Sequence, residues 1–106
     1  MHPDMIHILQ VIRDFHAKPL FISSGYRCVK HPVETMKDRP GEHTFGMAVD
    51  IICHGEVAHK VLGMAQSLDV VRIGINQKGR ASGRFIHIGI GDRFHSQFHG
   101  HALWTY

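Results

Sequence analysis

Histidine, with 11 among 106 residues, is the first residue type in this chain to consider for chemistry. His43 and Asp50 are seven positions apart, and His87 lies in the apolar run Phe-Ile-His-Ile. Imidazole nitrogen and carboxylate oxygen are zinc donors, and a hydrolytic zinc site uses three protein ligands with the fourth position left for water. These three side chains therefore form a candidate Zn²⁺ site.

The surroundings of Asp50 allow two interpretations. Its neighbours Val49, Ile51 and Ile52 are apolar, so an ionised carboxylate there loses hydration unless a cation or hydrogen-bond donors compensate it. A divalent metal is one such compensation, and a neighbouring arginine or loop amide groups are another. Spacing alone leaves both open, because H-x6-D is a loose pattern and a single strand histidine such as His87 is often structural.

Hydrophobic periodicity indicates the elements that would position these side chains. Apolar residues at helical spacing predict two helices, and short β-branched or apolar runs predict strands, two of which form a hairpin around Gly79 and Gly83. The region between 26 and 44 contains two prolines and is predicted to be a long loop. The predicted elements are helices 3–16 and 56–68 and strands 20–23, 47–53, 70–75, 85–90 and 102–106.

This order predicts an α+β fold, with one antiparallel sheet and two covering helices. The length and the 43% hydrophobic content suit a single small domain over residues 1–106. Cys28 and Cys53 have no disulfide-framework or C-x-x-C spacing, so we expect free thiols in a reducing compartment. No signal-peptide or membrane-span pattern is found, which predicts cytoplasmic synthesis and no membrane partner.

Three motifs in order carry a resemblance to a known family. They are Ser24-Gly25-Tyr26-Arg27, the run from Glu42 to Ile51 that contains His43 and Asp50, and Phe85-Ile86-His87. This succession resembles the zinc D-alanyl-D-alanine carboxypeptidases and peptidoglycan endopeptidases, peptidase family M15, which share their fold with the hedgehog signalling domain. The ending Leu103-Trp104-Thr105-Tyr106 is similar to that of short phage and prophage members.

The resemblance implies a function for several positions. His43, Asp50 and His87 match the zinc ligands, and Arg27 matches the arginine that holds the substrate near the metal. Ser24 and Tyr26 belong to the same motif and are expected to contact substrate. The implied substrate is a peptidoglycan stem peptide. A phage-type protein without an export signal would reach it from the virion, beside other particle proteins, or on release at lysis.

Two positions depart from the family pattern. The acid expected three residues before the third ligand is Arg84, and the aspartate expected two residues after it is Gly89. A hydrolase of this kind needs a base, and Glu42, Asp92 and His95 are the remaining candidates. The alternative is therefore a catalytically weak or inactive zinc-binding module of a phage particle, which binds the cell wall without cleaving it.

Two further patterns remain open. His95, His99 and His101 form an H-x3-H-x-H cluster, which suits an accessory metal site or a solvated polar loop. Arg80, Arg84 and Arg93 would serve a nucleic-acid binder. The net charge of +3 is too small to select that class, so nucleic acid is not an expected partner.

Overall fold

The computed structural model of the protein describes residues 2–24, 47–94 and 100–106. Within these ranges the chain forms two α-helices and a five-stranded sheet, which confirms the α+β prediction. The predicted loop at 26–44 lies outside the described residues. The elements are α1 (Pro3–His16), β1 (Phe21–Ser24), β2 (Ala48–Ile52), α2 (Gly55–Ser67), β3 (Arg72–Asn76), β4 (Phe85–Gly89) and β5 (Ala102–Thr105).

Helix α1 has the bounds that its sequence predicts because both ends are capped. The His2 side chain accepts a hydrogen bond from the backbone N–H of Asp4, and Pro3 occupies the first helical turn. At the other end Ala17 adopts the left-handed conformation, with φ of 61°, and its N–H donates to the Arg13 carbonyl. The following Lys18-Pro19 pair prevents continuation of the helix.

The strand order is β1-β2-β4-β3-β5, and the first three pairings in that order are antiparallel. The predicted hairpin is present as β3 and β4. Gly79 in their connection has a φ of +78°, a conformation that L side chains rarely adopt. Strands β2 and β4 lie in the interior of the sheet, with a neighbour on each side.

The last strand differs from the expected all-antiparallel sheet, because β5 pairs parallel to β3. Strand β4 ends at Gly89, opposite Arg72 at the beginning of β3, and β5 begins at Ala102, also opposite Arg72. Since β4 ends and β5 begins beside the same end of β3, β5 must run in the direction of β3. The sheet is therefore mixed, with one parallel pair at its edge.

The two faces of the sheet have different roles. Alternate residues of a strand point to opposite faces, and directly paired residues share a face. One face packs against α1 and α2 and contains the hydrophobic core. Its core members are Met47, Val49, Ile51 and Cys53 around β2, Ile73 on β3, and Ile86, Ile88 and Ile90 around β4. The intervening positions, Asp50 and His87 among them, belong to the opposite face.

Candidate metal centre

One row of paired residues crosses all five strands on the face opposite the helices. In strand order the pairs are Ser24 with Asp50, Asp50 with His87, His87 with Gly74, and Gly74 with Trp104. A shift in the β1 register after Ile22 makes Ser24, rather than Ser23, the partner of Asp50. Residues that are distant in the sequence therefore stand side by side through backbone pairing alone.

Asp50 and His87 form the centre of this row. The Nδ1 atom of His87 lies 3.0 Å from Oδ1 of Asp50, and the two residues are only 6% and 7% exposed. Because an ionised carboxylate only accepts hydrogen bonds, this contact requires a proton on Nδ1. The pair thus places one imidazole nitrogen and one carboxylate oxygen next to each other in a position with little access to water.

The chemistry of this pair fits a zinc ion. Two donor atoms bound at 2.0 to 2.2 Å to one tetrahedral ion stand roughly 3.3 to 3.6 Å apart, slightly more than the Nδ1 to Oδ1 distance. Within residues 2–24, 47–94 and 100–106, however, no three histidine, cysteine, aspartate or glutamate side chains form a metal-binding group. The third predicted ligand, His43, lies outside the described residues.

Aromatic side chains continue the site along the same face. The ring centroids of His87 and Trp104 are 5.1 Å apart, and those of Phe85 and Tyr106 are 5.0 Å apart. The guanidinium carbon of Arg72 lies 5.9 Å from the Trp104 ring centroid. No role for Trp104 could be predicted from the sequence. Trp104 approaches His87 only because β5 pairs with β3, and that pairing is not visible in the sequence.

The residues expected to hold substrate are described only in part. Ser24 ends β1 opposite Asp50, and this backbone position is all that the structure describes of it. Tyr26 and Arg27 follow directly in the sequence and lie outside the described residues. Their predicted role in binding substrate stays a prediction.

Of the three candidates for the general base, the structure describes only Asp92. Glu42 and His95 lie outside the described ranges, whereas Asp92 is half-buried in a short 3-10 helix, Gly91–Arg93, after β4. At the two positions where the family pattern expects acids, Arg84 donates from Nε to the Gly79 carbonyl and Gly89 ends β4. Neither of these residues offers a carboxylate.

The other histidines and arginines singled out in the sequence are described only in part. His101 lines a surface depression with Gln66 and Asp69, while His95 and His99 lie outside the described residues. Arg93 donates from Nη2 to the Leu68 and Asp69 carbonyls, after the end of α2. In the described part of the chain, Arg93 therefore has a structural role at the end of a helix.

Cys53 is a free, buried cysteine, as its sequence context predicts. Its thiol lies 3.3 Å from the Ile51 carbonyl, to which it donates. Burial raises the pKa of the Cys53 thiol to about 11, and a backbone hydrogen bond with Ile86 lowers it in part. A thiol of this kind is a poor nucleophile, because the thiolate is the reactive form.

Comparisons with known proteins give one match. A family model described as Peptidase M15 matches residues 1–89, which include both Asp50 and His87. No curated protein and no solved structure matches the chain at a significant level. Neither α1 nor α2 has the length and the apolar character needed to cross a membrane, and no other described helix does.

Proposed function

Because the chain belongs to the peptidase M15 family, we propose that it is a zinc-dependent peptidase that hydrolyses a peptide bond in peptidoglycan stem peptides. The contact between Asp50 and His87 is the observation that supports this function best. Two zinc donors lie 3.0 Å apart, nearly buried, on adjacent interior strands of the sheet. A pair that is fixed by the sheet needs little rearrangement to bind an ion.

In this proposal His43, Asp50 and His87 hold the metal. When bound there, a zinc ion would supply Lewis-acid activation of the scissile carbonyl and of the attacking water. Asp50 would contribute negative charge, and its low exposure limits the access of competing water to the carboxylate. His87 would contribute a neutral imidazole with its proton on Nε2, the tautomer that leaves the Nδ1 lone pair available to an ion.

Substrate binding would use the motif that follows β1. Arg27 is proposed to pair with a substrate carboxylate or with the developing oxyanion, for which a fixed guanidinium is suited. Ser24 and Tyr26 would contact the peptide beside it. Ser24 ends β1 opposite Asp50, so this motif begins in the same row as Asp50 and His87. The scissile bond would then lie between Arg27 and the metal.

The general base is the open part of the mechanism. Arg84 and Gly89 replace the two expected acids, so proton transfer would depend on Glu42, Asp92 or His95. This observation favours a second candidate function, a zinc-binding phage module that binds the cell wall without cleaving it. In either case we propose a phage-type protein that reaches the wall from the virion, beside other particle proteins, or at lysis.

One experiment distinguishes these functions. Purified protein with zinc is incubated with synthetic stem peptides and with isolated peptidoglycan, and products are identified by mass spectrometry. His87→Ala removes a proposed ligand, and His59→Ala, on the exposed side of α2, is the matched control. We expect products from the native protein and the control, and none from His87→Ala.

Each other outcome has a definite meaning. Stoichiometric zinc and sedimentation with peptidoglycan, without products, would favour the non-cleaving module. Elemental analysis that finds no zinc bound by the native protein would overturn both functions. Products that persist in His87→Ala would show that His87 is not a ligand of the catalytic metal.

A further inference from the structure

We propose that Trp104 is a positioning residue for the metal ligand His87, and that residue 74 is glycine so that the indole can reach this place. The inference rests on the proposed function in treating His87 as a zinc ligand. Its geometric part concerns residues that the structure describes, and it can be tested without metal.

Trp104 lies directly against the backbone of Gly74. A Cβ atom built on Gly74 would be 2.4 Å from the indole Nε1, 2.5 Å from Cε2 and 2.9 Å from Cζ2. Real Cβ atoms essentially never approach other atoms this closely, so any larger residue at 74 would displace the indole. Glycine is unfavourable inside a strand and often marks a position where another group comes close to the backbone. At Gly74 that group is the indole of Trp104.

The indole reaches His87 across Gly74. Residue 74 pairs with His87 on one side and with Trp104 on the other, so all three share one row and one face. Without a side chain between them, the His87 and Trp104 rings meet at a centroid distance of 5.1 Å and an angle of 52°. An alanine at 74 would push the indole away from this contact.

Contact of this kind matters because the orientation of a histidine ring is weakly set by its own torsions. The χ2 angle of histidine has broad minima, so neighbouring groups decide where the two ring nitrogens point. Asp50 holds Nδ1 on one side at 3.0 Å, and Trp104 contacts the ring as well. Together they direct Nδ1 toward the carboxylate with which it would share the metal.

Arg72 supports the indole in turn. It lies on β3 two residues before Gly74 and therefore on the same face, with its guanidinium carbon 5.9 Å from the Trp104 ring centroid. A guanidinium within about 6 Å of an indole is attracted by the ring. The indole is thus held by Arg72 and by the Gly74 backbone while it contacts His87.

The first test measures zinc affinity by competition with a chelator. Partners that orient a metal-binding histidine typically change metal affinity by roughly 10- to 100-fold when they are lost. We expect a weakening of that size in Trp104→Ala and a smaller one in Trp104→Phe, which keeps an aromatic ring. Leu103→Ala is the matched control, because this neighbour on β5 is 69% exposed and belongs to the other face.

Gly74→Ala separates positioning from loss of packing, since it keeps the tryptophan but moves it. We expect it to weaken zinc binding as Trp104→Ala does, and to add little in the double variant Gly74→Ala/Trp104→Ala. Non-additivity of this kind identifies residues that act through one contact. Thermal melts of the metal-free variants show whether a variant has lost its fold.

The second test uses metal-free protein, so it is independent of the proposed function. The His87 ring protons, assigned by NMR with His87→Gln as reference, should carry a ring-current shift from Trp104, the single tryptophan of the chain. We expect folded Trp104→Ala and Gly74→Ala to lose that shift and to change the His87 ring nitrogen signals. Unchanged nitrogen signals, or equal zinc affinity in all folded variants, would overturn the positioning role. Failure of the native protein to bind zinc would overturn the proposed function, while the NMR result would still decide the contact.

Discussion

Replacement of Asp50 by asparagine distinguishes a metal ligand from a structural ion pair. Asparagine keeps the size of the side chain and one oxygen that can accept the proton of His87 Nδ1, but it removes the charge. In metal-free protein Asp50 is only 7% exposed, within a strand whose other residues are mostly buried. A charge kept there for metal binding costs stability, so we expect Asp50→Asn to change the free energy of unfolding by less than about 1 kcal/mol, or to increase it.

The loss of a metal ligand in Asp50→Asn should instead appear as a smaller stabilisation by zinc. Binding to the native state alone stabilises a protein by RT ln(1 + [L]/Kd), about 4 kcal/mol at a thousandfold excess over Kd. If the variant binds zinc ~100-fold more weakly, the same concentration stabilises it by only about 1.4 kcal/mol. At about 4 to 8 °C per kcal/mol, the zinc-induced rise in Tm falls from roughly 15 °C or more to roughly 5 to 10 °C.

The assay is a pair of thermal melts, one with a chelator and one with zinc, for the native protein and the variant. Asp14→Asn, on the exposed side of α1, makes the same chemical change away from the site and should leave both melts unchanged. A structural ion pair gives the reverse pattern, since removal of one partner of a buried pair costs about 3 to 5 kcal/mol. A loss of that size without metal, or an undiminished zinc effect, would refute the reasoning.

Three further predictions concern the fold. Ile88→Ala, at a fully buried position, should lower the free energy of unfolding by about 2 to 5 kcal/mol in denaturant melts, whereas Leu103→Ala, on the same face but 69% exposed at the sheet edge, should stay within about 0.5 kcal/mol; equal losses would contradict the placement of the core over β4. Arg93→Ala removes the donors to the carbonyls of Leu68 and Asp69, so the free energy of unfolding should fall by about 1 kcal/mol in the same assay. An unchanged stability would mean that water replaces these hydrogen bonds. Burial raises the pKa of Cys53 from 9.0 to about 11, so iodoacetamide at pH 8 should modify this thiol about 100-fold more slowly in folded than in unfolded protein. Mass spectrometry follows the reaction, and rapid modification of the folded protein would place the thiol in solvent.

Local patterns were sufficient to predict most of the fold. The helical spacing of Met5, Ile8 and Ile12 and the proline at position 3 defined α1 to the residue. Strand β2 was recognisable from its apolar run, and the placement of Asp50 within it followed from the sequence alone. These features could be predicted because each depends on neighbours within a few positions.

The features that were not predicted depend on long-range pairing. Nothing in residues 102–106 indicates that β5 lies beside β3 rather than next to β4, or that it is parallel. The role of Trp104 follows from that pairing, since the residue meets His87 only across Gly74. The contact between Asp50 and His87 likewise spans 37 positions, and the family resemblance, not the spacing, indicated that these two residues belong together.

The interior position of β2 and β4 has a consequence for partially unfolded forms of the protein. Edge strands such as β1 and β5 have one hydrogen-bonded neighbour and can detach at low cost, whereas central strands open only with most of the sheet. Hydrogen exchange at the amides beside Asp50 and His87 should therefore be among the slowest in the chain. Detachment of either edge strand would leave β2 and β4 paired, so the backbone register that sets Asp50 beside His87 depends on neither β1 nor β5.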